Sequence, residues 1–388
     1  MKASVKPKII RTTTVAMSLD ILLKGQLAFL AKEYEVVAVS GADIHLERVA
    51  HREGVRTVSV DMQRNISPLK DLVALWKLYR LFKKEQPQIV HSITPKAGLL
   101  TMVAAKYAGV PVRIHTFTGL VFPSKKGIFQ QLLIAMDRLL CWAATTIIPE
   151  GNGVKNDLIA YKITLKPLAV LANGNVNGID TNYFSPEAIP AKEKENLKNQ
   201  LYIQPTDFVF IFVGRLVSDK GINELVEAFK EVNILCPETK LVLVGPLETE
   251  LDPLLAETLK EMENNPSIIS VGYQNDVRPY FAIADALVFP SYREGFPNVV
   301  MQAGAMGLPS IVSNINGCNE IIVENCNGMI IPVKNTKAVF DAMKKILEDV
   351  IFYNHLKENS RKRIVDNYEQ KVVWNALLKE YKSLEDNV

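Results

Sequence analysis

The chain is 388 residues long, 48% hydrophobic and 22% charged, with 45 Lys and Arg against 42 Asp and Glu. That mix excludes a disordered chain or a fibre, and the length favours two domains of roughly 100–200 residues each. Residues 1–172 carry 24 Lys and Arg against 12 Asp and Glu, a net +12, and the remainder carries 21 against 30, a net −9; a basic half suits an anionic partner (nucleic acid, an anionic membrane surface or a phosphorylated substrate), unless its lysines are merely solvated.

The first half alternates short apolar runs with helical patterns. Strands are predicted over Lys8–Val15, Glu35–Ser40, Arg56–Val60, Gln88–Ile93, Val112–Thr116, Thr145–Ile148 and Ala169–Ala172. Amphipathic helices are predicted over Leu69–Lys84 and Ile128–Ala144, and the stripe Leu69, Leu72, Val73, Trp76 and Tyr79 reads as core facing a sheet. The turn residues Asn173–Gly178 and the polar stretch Pro186–Lys198 read as a linker. A second series follows at Asp207–Val213, Lys240–Val244, Ile268–Val271, Ala286–Phe289, Ser310–Val312 and Met329–Ile331, and residues from Thr336 on read as helix. Strands alternating with helices imply two parallel, doubly wound sheets, with a ligand cleft expected at their carboxyl ends. Cys141, Cys236, Cys318 and Cys326 form no CxxC pair, which fits a reducing compartment. Neither a signal peptide nor an apolar run of membrane-spanning length is expected.

Two constellations carry chemistry. Gly214–Arg215–Leu216–Val217–Ser218–Asp219–Lys220–Gly221 follows the first strand of the second half; the Arg215 fork and the Lys220 point charge suit a diphosphate, or else cap a solvated turn. Further on, the strand Ala286–Phe289 runs through Glu294 into a helix beginning near Pro297, where the amides of Phe296, Asn298 and Val299 would meet an anion or a sugar. Glu294 stands at the strand's carboxyl end, or else serves the helix dipole.

Glu294, Gly295, Pro297, Ala303, Ala305, Gly307 and Pro309 resemble the signature of glycosyltransferase family 4, retaining enzymes of the GT-B fold, and Gly214–Gly221 resembles the same family's donor diphosphate site. Segments 64–71, 90–98 and 177–180 are similar to bacterial transferases that build capsule, O-antigen or lipid-linked oligosaccharides. The resemblance implies α/β architecture with two Rossmann-like domains facing a central cleft: 1–175 for the acceptor, a linker at 176–205, 206–370 for the nucleotide sugar, and a C-terminal helix at 371–388, whose return to the first domain stays open. It implies transfer of an N-acetylhexosamine from a UDP-sugar to an undecaprenyl-diphosphate-linked sugar. Arg215 and Lys220 would then serve the leaving diphosphate, Glu294 the donor sugar and Gln302 the ribose. Tyr273 and Gln274 would serve the base, and His115 would lie beside the donor from the first domain. The enzyme would be cytoplasmic, peripheral on the inner membrane face, with no nucleic-acid partner.

Two positions depart from the pattern. Gln302 replaces the second Glu of the signature and keeps a carbonyl acceptor without its charge. The loop Thr12–Ser18 replaces a Gly-Gly pair; Thr13 and Thr14 would donate to a phosphate or serve ordinary turn chemistry. No Asp-x-Asp and no His/Cys cluster with ligand spacing occurs, so neither a metal nor another cofactor is expected. Lys125 and Lys126 precede Ile128, Phe129, Leu132 and Leu133, a segment that suits an anionic lipid surface or a core-facing helix equally. A non-catalytic sugar-nucleotide-binding subunit and a GT-B-shaped UDP-sugar epimerase are the alternative readings.

Overall fold

The computed structural model describes residues 6–63, 67–250 and 252–387; Arg64, Asn65 and Ile66 of the 64–71 segment lie outside them. The chain divides into two compact units, one running to Gly178 and resuming at Gln370, the other Ile179–Glu369.

In the first unit the strands are β1 (Lys8–Thr12), β2 (Glu35–Ser40), β3 (Arg56–Ser59), β4 (Ile89–Ser92), β5 (Val112–Phe117) and β6 (Thr146–Pro149). They pair in parallel in the order β3-β2-β1-β4-β5-β6. The second unit has β7 (Phe208–Val213), β8 (Thr239–Val244), β9 (Ile268–Gly272), β10 (Ala286–Phe289), β11 (Ser310–Ser313) and β12 (Gly328–Ile331). Their order is β12-β11-β10-β7-β8-β9, the same doubly wound arrangement. Helices cover both faces of such sheets, so central strands read as unbroken apolar runs such as Phe208–Val213. In each unit the strand order reverses once, between β1 and β4 and between β7 and β10, the point at whose carboxyl ends sheets of this kind bind ligands.

Three of the expected elements differ. Ala169–Ala172 forms no strand; only Leu168 bridges, singly, to Ile147. The polar stretch after Gly178 is no open connector, because it holds the helix Ala191–Gln200 and buries Ile189 and Ile203 in the second unit's core. Of the stripe on the helix Pro68–Glu85, Leu69, Leu72, Val73 and Trp76 face solvent, with Leu69 81% and Trp76 56% exposed, and Tyr79 packs against the core. The helix has two apolar lines, and Ala74, Leu78 and Phe82, spaced four apart, take the core side.

The C-terminal helix Gln370–Glu385 packs on the first unit, burying Val373, Leu377 and Tyr381. The Trp374 indole donates to Asn177 Oδ1 at 2.7 Å. Tyr381 Oη meets Arg11 Nη1 and His91 Nδ1, each at 2.7 Å. Among the described residues, no helix is long and apolar enough to cross a membrane.

Candidate active site

In the second unit the turn after β7 carries Arg215 and Lys220, and the loop after β10 carries Glu294. Gly221 lets the two loops meet: its φ is +71°, and a Cβ there would lie 2.2 Å from the Pro290 carbonyl oxygen. The Lys220 ammonium pairs with Glu294, whose carboxylate also accepts from Ser291 Oγ at 2.9 Å. Both side chains are largely buried, which strengthens the pairing and orients them jointly. Arg215 Nη1 lies 2.8 Å from Glu248 on the loop after β8, and Arg293 is 3.0 Å from Asp219.

The helix after Glu294 starts at Asn298, with Pro297 as its N-cap in extended conformation, one position ahead of the first turn. Phe296 is core, its ring 5.7 Å from that of Tyr368. Asn298 and Val299 open the helix and Gln302 follows one turn later, half-buried. After β9, Tyr273 is 70% exposed, and Gln274 donates to the Val271 carbonyl at 2.7 Å.

In the first unit a cavity of about 600 Å³ opens at the β1/β4 switch point. Thr14, Ser18 and Thr94 line its polar side; Leu120, Phe129, Leu133 and Met136 line the apolar one. Thr14 Oγ1 is 2.8 Å from Thr94 Oγ1 and accepts from the Ala97 amide, so it caps the Pro95–Ala108 helix. Thr13 turns inward to the Val15 carbonyl and Ser40. His115 is buried on β5 with Nδ1 2.8 Å from Ser92 Oγ, and burial pulls its pKa down to about 3, so the ring is neutral near pH 7. Gly98 makes room for it, since a Cβ there would stand 2.4 Å from the imidazole.

Residues 193–363 match the family model described as glycosyl transferases group 1, and residues 26–174 match the glycosyl transferase 4-like domain. The capsular polysaccharide biosynthesis glycosyltransferase CapM of Staphylococcus aureus is 31% identical over 377 residues, 95% of each chain. The chain belongs to the group 1 glycosyltransferases. An Escherichia coli relative, named UDP-Gal:alpha-D-GlcNAc-diphosphoundecaprenol alpha-1,3-galactosyltransferase, is 29% identical over 89% of this transferase and 90% of that protein. A solved glycosyltransferase from Rickettsia africae superposes with a TM-score of 0.82 at 18% identity, covering 99% of this chain and 100% of that one, which gives the fold as GT-B.

Sequence reading missed three residues that the structure places beside the candidate residues or in the core beneath them. Arg11, fully buried on β1, is held by His91 and Tyr381, and the acidic Glu248 occupies Arg215. Neither role has a local sequence signal, since the partners lie 33 to 370 positions away. Asp137, in the cavity wall, lies in no motif of the sequence. Glu248 stands where a diphosphate would compete for the guanidinium. Glu248→Gln is therefore expected to tighten UDP binding, and an exposed pair is worth about 0.2–1 kcal/mol, at most about fivefold in affinity. Titration calorimetry checks this; the gain should vanish in an Arg215→Ala background.

Proposed function

We propose that this transferase moves a sugar, an N-acetylhexosamine or a related hexose, from a UDP-sugar to an undecaprenyl-diphosphate-linked sugar in bacterial surface polysaccharide synthesis, with retention and without a metal. The observation that carries the reading is the Lys220–Glu294 pair, with Arg215 on the same turn, at the switch point of the second sheet. The S. aureus and E. coli relatives, named for capsule synthesis and for a GlcNAc-diphosphoundecaprenol acceptor, support the acceptor class. As the bond between the sugar's anomeric carbon and the β-phosphate oxygen breaks, Arg215 and Lys220 stabilise the charge left on UDP. The acceptor hydroxyl bonds to the same carbon from the same face and gives its proton to the departing phosphate. Glu294 holds donor hydroxyls, the first-turn amides of the Asn298–Ala305 helix position the donor, Gln302 meets the ribose, and Tyr273 and Gln274 meet the base. The test is a UDP-sugar panel against undecaprenyl-diphosphate-linked monosaccharides, with mass analysis of the lipid product. Free epimerised UDP-sugar, or no turnover of any donor, would count against transfer.

The exposed face of the Pro68–Glu85 helix supports docking on the inner face of the cytoplasmic membrane. Leu69, Leu72, Val73 and Trp76 project beside exposed Lys70, Lys77 and Arg80, an apolar stripe with basic flanks. Ile128 and Leu132, after Lys125 and Lys126, are also exposed. Replacing Leu69, Leu72 and Trp76 by serine is expected to abolish binding to anionic vesicles. Lys125→Glu with Lys126→Glu should weaken it more than about tenfold at low salt, at roughly 1 kcal/mol per lysine removed and more for reversal. Vesicle flotation reads both, with neutral vesicles as control; a parent protein that ignores anionic vesicles removes the membrane from the proposal.

A further inference from the structure

The cavity of the first unit holds a carboxylate that packing alone does not explain. Asp137 lies on the Gly127–Ala143 helix, on the face that also presents Phe129, Leu133 and Met136 to the cavity. Its neighbour Arg138 turns away, its guanidinium donating to the carbonyls of Tyr161 and Lys162. Among the described residues Asp137 has neither a hydrogen bond nor an ion pair through its side chain. Lys96, the cation of the same cavity, is 2.7 Å from Asp71 instead. The other titratable neighbour, Cys141 one turn along the helix, is buried, and burial pushes its thiol up to about 12.

Asp137 is partly exposed and its carboxylate opens to the cavity rather than to a protein partner, and an acid so placed in a largely apolar wall is free to bind a ligand. Burial also pushes its pKa up to about 7, so near neutrality the carboxyl both donates and accepts. A diphosphate placed against it would meet an acid rather than a free cation, so the chemistry fits a neutral, hydroxyl-rich ligand. The apolar wall suits the C–H face of a pyranose, and Ser18 offers a further hydroxyl beside the mutually bonded Thr14 and Thr94.

Resting on the lipid-linked acceptor reading above, we propose that this cavity receives the acceptor's sugar and that Asp137 hydrogen-bonds a hydroxyl or acetamido group of it, setting acceptor specificity. Two measurements on the full chain test this. In steady-state kinetics with the acceptor found by the panel, Asp137→Leu should raise the acceptor KM about tenfold or more while leaving the donor KM unchanged. The same variant should melt no lower than the parent, which shows that it folds and separates a binding role from a structural one. Asp137→Asn, which keeps a donor and an acceptor, should stay within about threefold of the parent. In the second measurement, dicyclohexylcarbodiimide, which adds across its C=N bond to a protonated carboxyl in an apolar site, should label Asp137. GlcNAc-diphosphoundecaprenol in detergent should slow that labelling, and UDP should not. An unchanged acceptor KM in Asp137→Leu, or labelling indifferent to the lipid-linked sugar, overturns the proposal. If the panel shows no transfer to any lipid-linked sugar, the acceptor reading fails, and the labelling arm alone then decides whether the cavity binds one.

Discussion

Lys220→Ala is expected to lower kcat/KM by on the order of 10²-fold or more, because on the proposed mechanism it removes a preorganised cation from the leaving diphosphate, and it leaves Glu294 with Ser291 but no cation. The loss should fall mainly on kcat, since charge on the diphosphate grows as the bond breaks. Arg215→Ala should cost a similar factor, with a larger share in donor KM, as Arg215 is half-exposed and already shared with Glu248. A chelator should leave turnover largely unchanged. Separate kcat and KM values for donor and acceptor check the assignment; near-normal activity in both variants, or loss of activity on chelation, would sink it.

Tyr381→Ala should cost about 3–5 kcal/mol of stability, the range for truncating a buried aromatic. Tyr381→Phe isolates the hydroxyl and should cost about 1–3 kcal/mol. Arg11 is fully buried, its Nε and Nη2 have no partner among the described residues, and Tyr381 and His91 hold its remaining nitrogen. Losing the phenol leaves the guanidinium one neutral imidazole, whose pKa burial and Arg11 hold well below its ordinary value. Urea unfolding of the two variants gives the numbers; a Tyr381→Phe protein as stable as the parent would show that the hydroxyl contributes nothing net.

Strand positions were legible because a doubly wound sheet demands short runs of buried β-branched residues. Glu35–Ser40 and Ala286–Phe289 coincide residue for residue with β2 and β10. Ala169–Ala172 is equally apolar, yet the chain meets the free edge of β6 only through the single Leu168–Ile147 bridge and then turns away, a tertiary fact that no window contains. Helical periodicity located the Pro68–Glu85 helix but not its orientation, because apolar lines at 69/72/73/76 and at 74/78/82 score alike until a neighbour covers one of them. The segment 186–198 reads as a linker because its helix is mostly polar and buries no residue fully; Leu197 packs partly on the core, and Ile189 and Ile203, flanking the helix, do most of the anchoring. Site residues in contiguous motifs, such as Arg215, Lys220 and Glu294, could be named from spacing. Arg11, Asp137 and Glu248 could not, since each acquires its role from a neighbour supplied by a distant segment or from a wall formed by several.

The interleaved connectivity of the two units has a consequence for synthesis. The first unit needs residues up to Gly178 and also those from Gln370 on, whereas the second is one uninterrupted stretch, Ile179–Glu369. A nascent chain leaving the ribosome at about 5–20 residues per second therefore has the whole second unit in hand before the helix that covers Arg11 exists. The usual amino-to-carboxyl order of domain maturation is inverted. The early-made sheet waits, with Leu27, Tyr34 and Ile89 of its core cluster still lacking Leu377 and Tyr381, until the helix Gln370–Glu385 has been made.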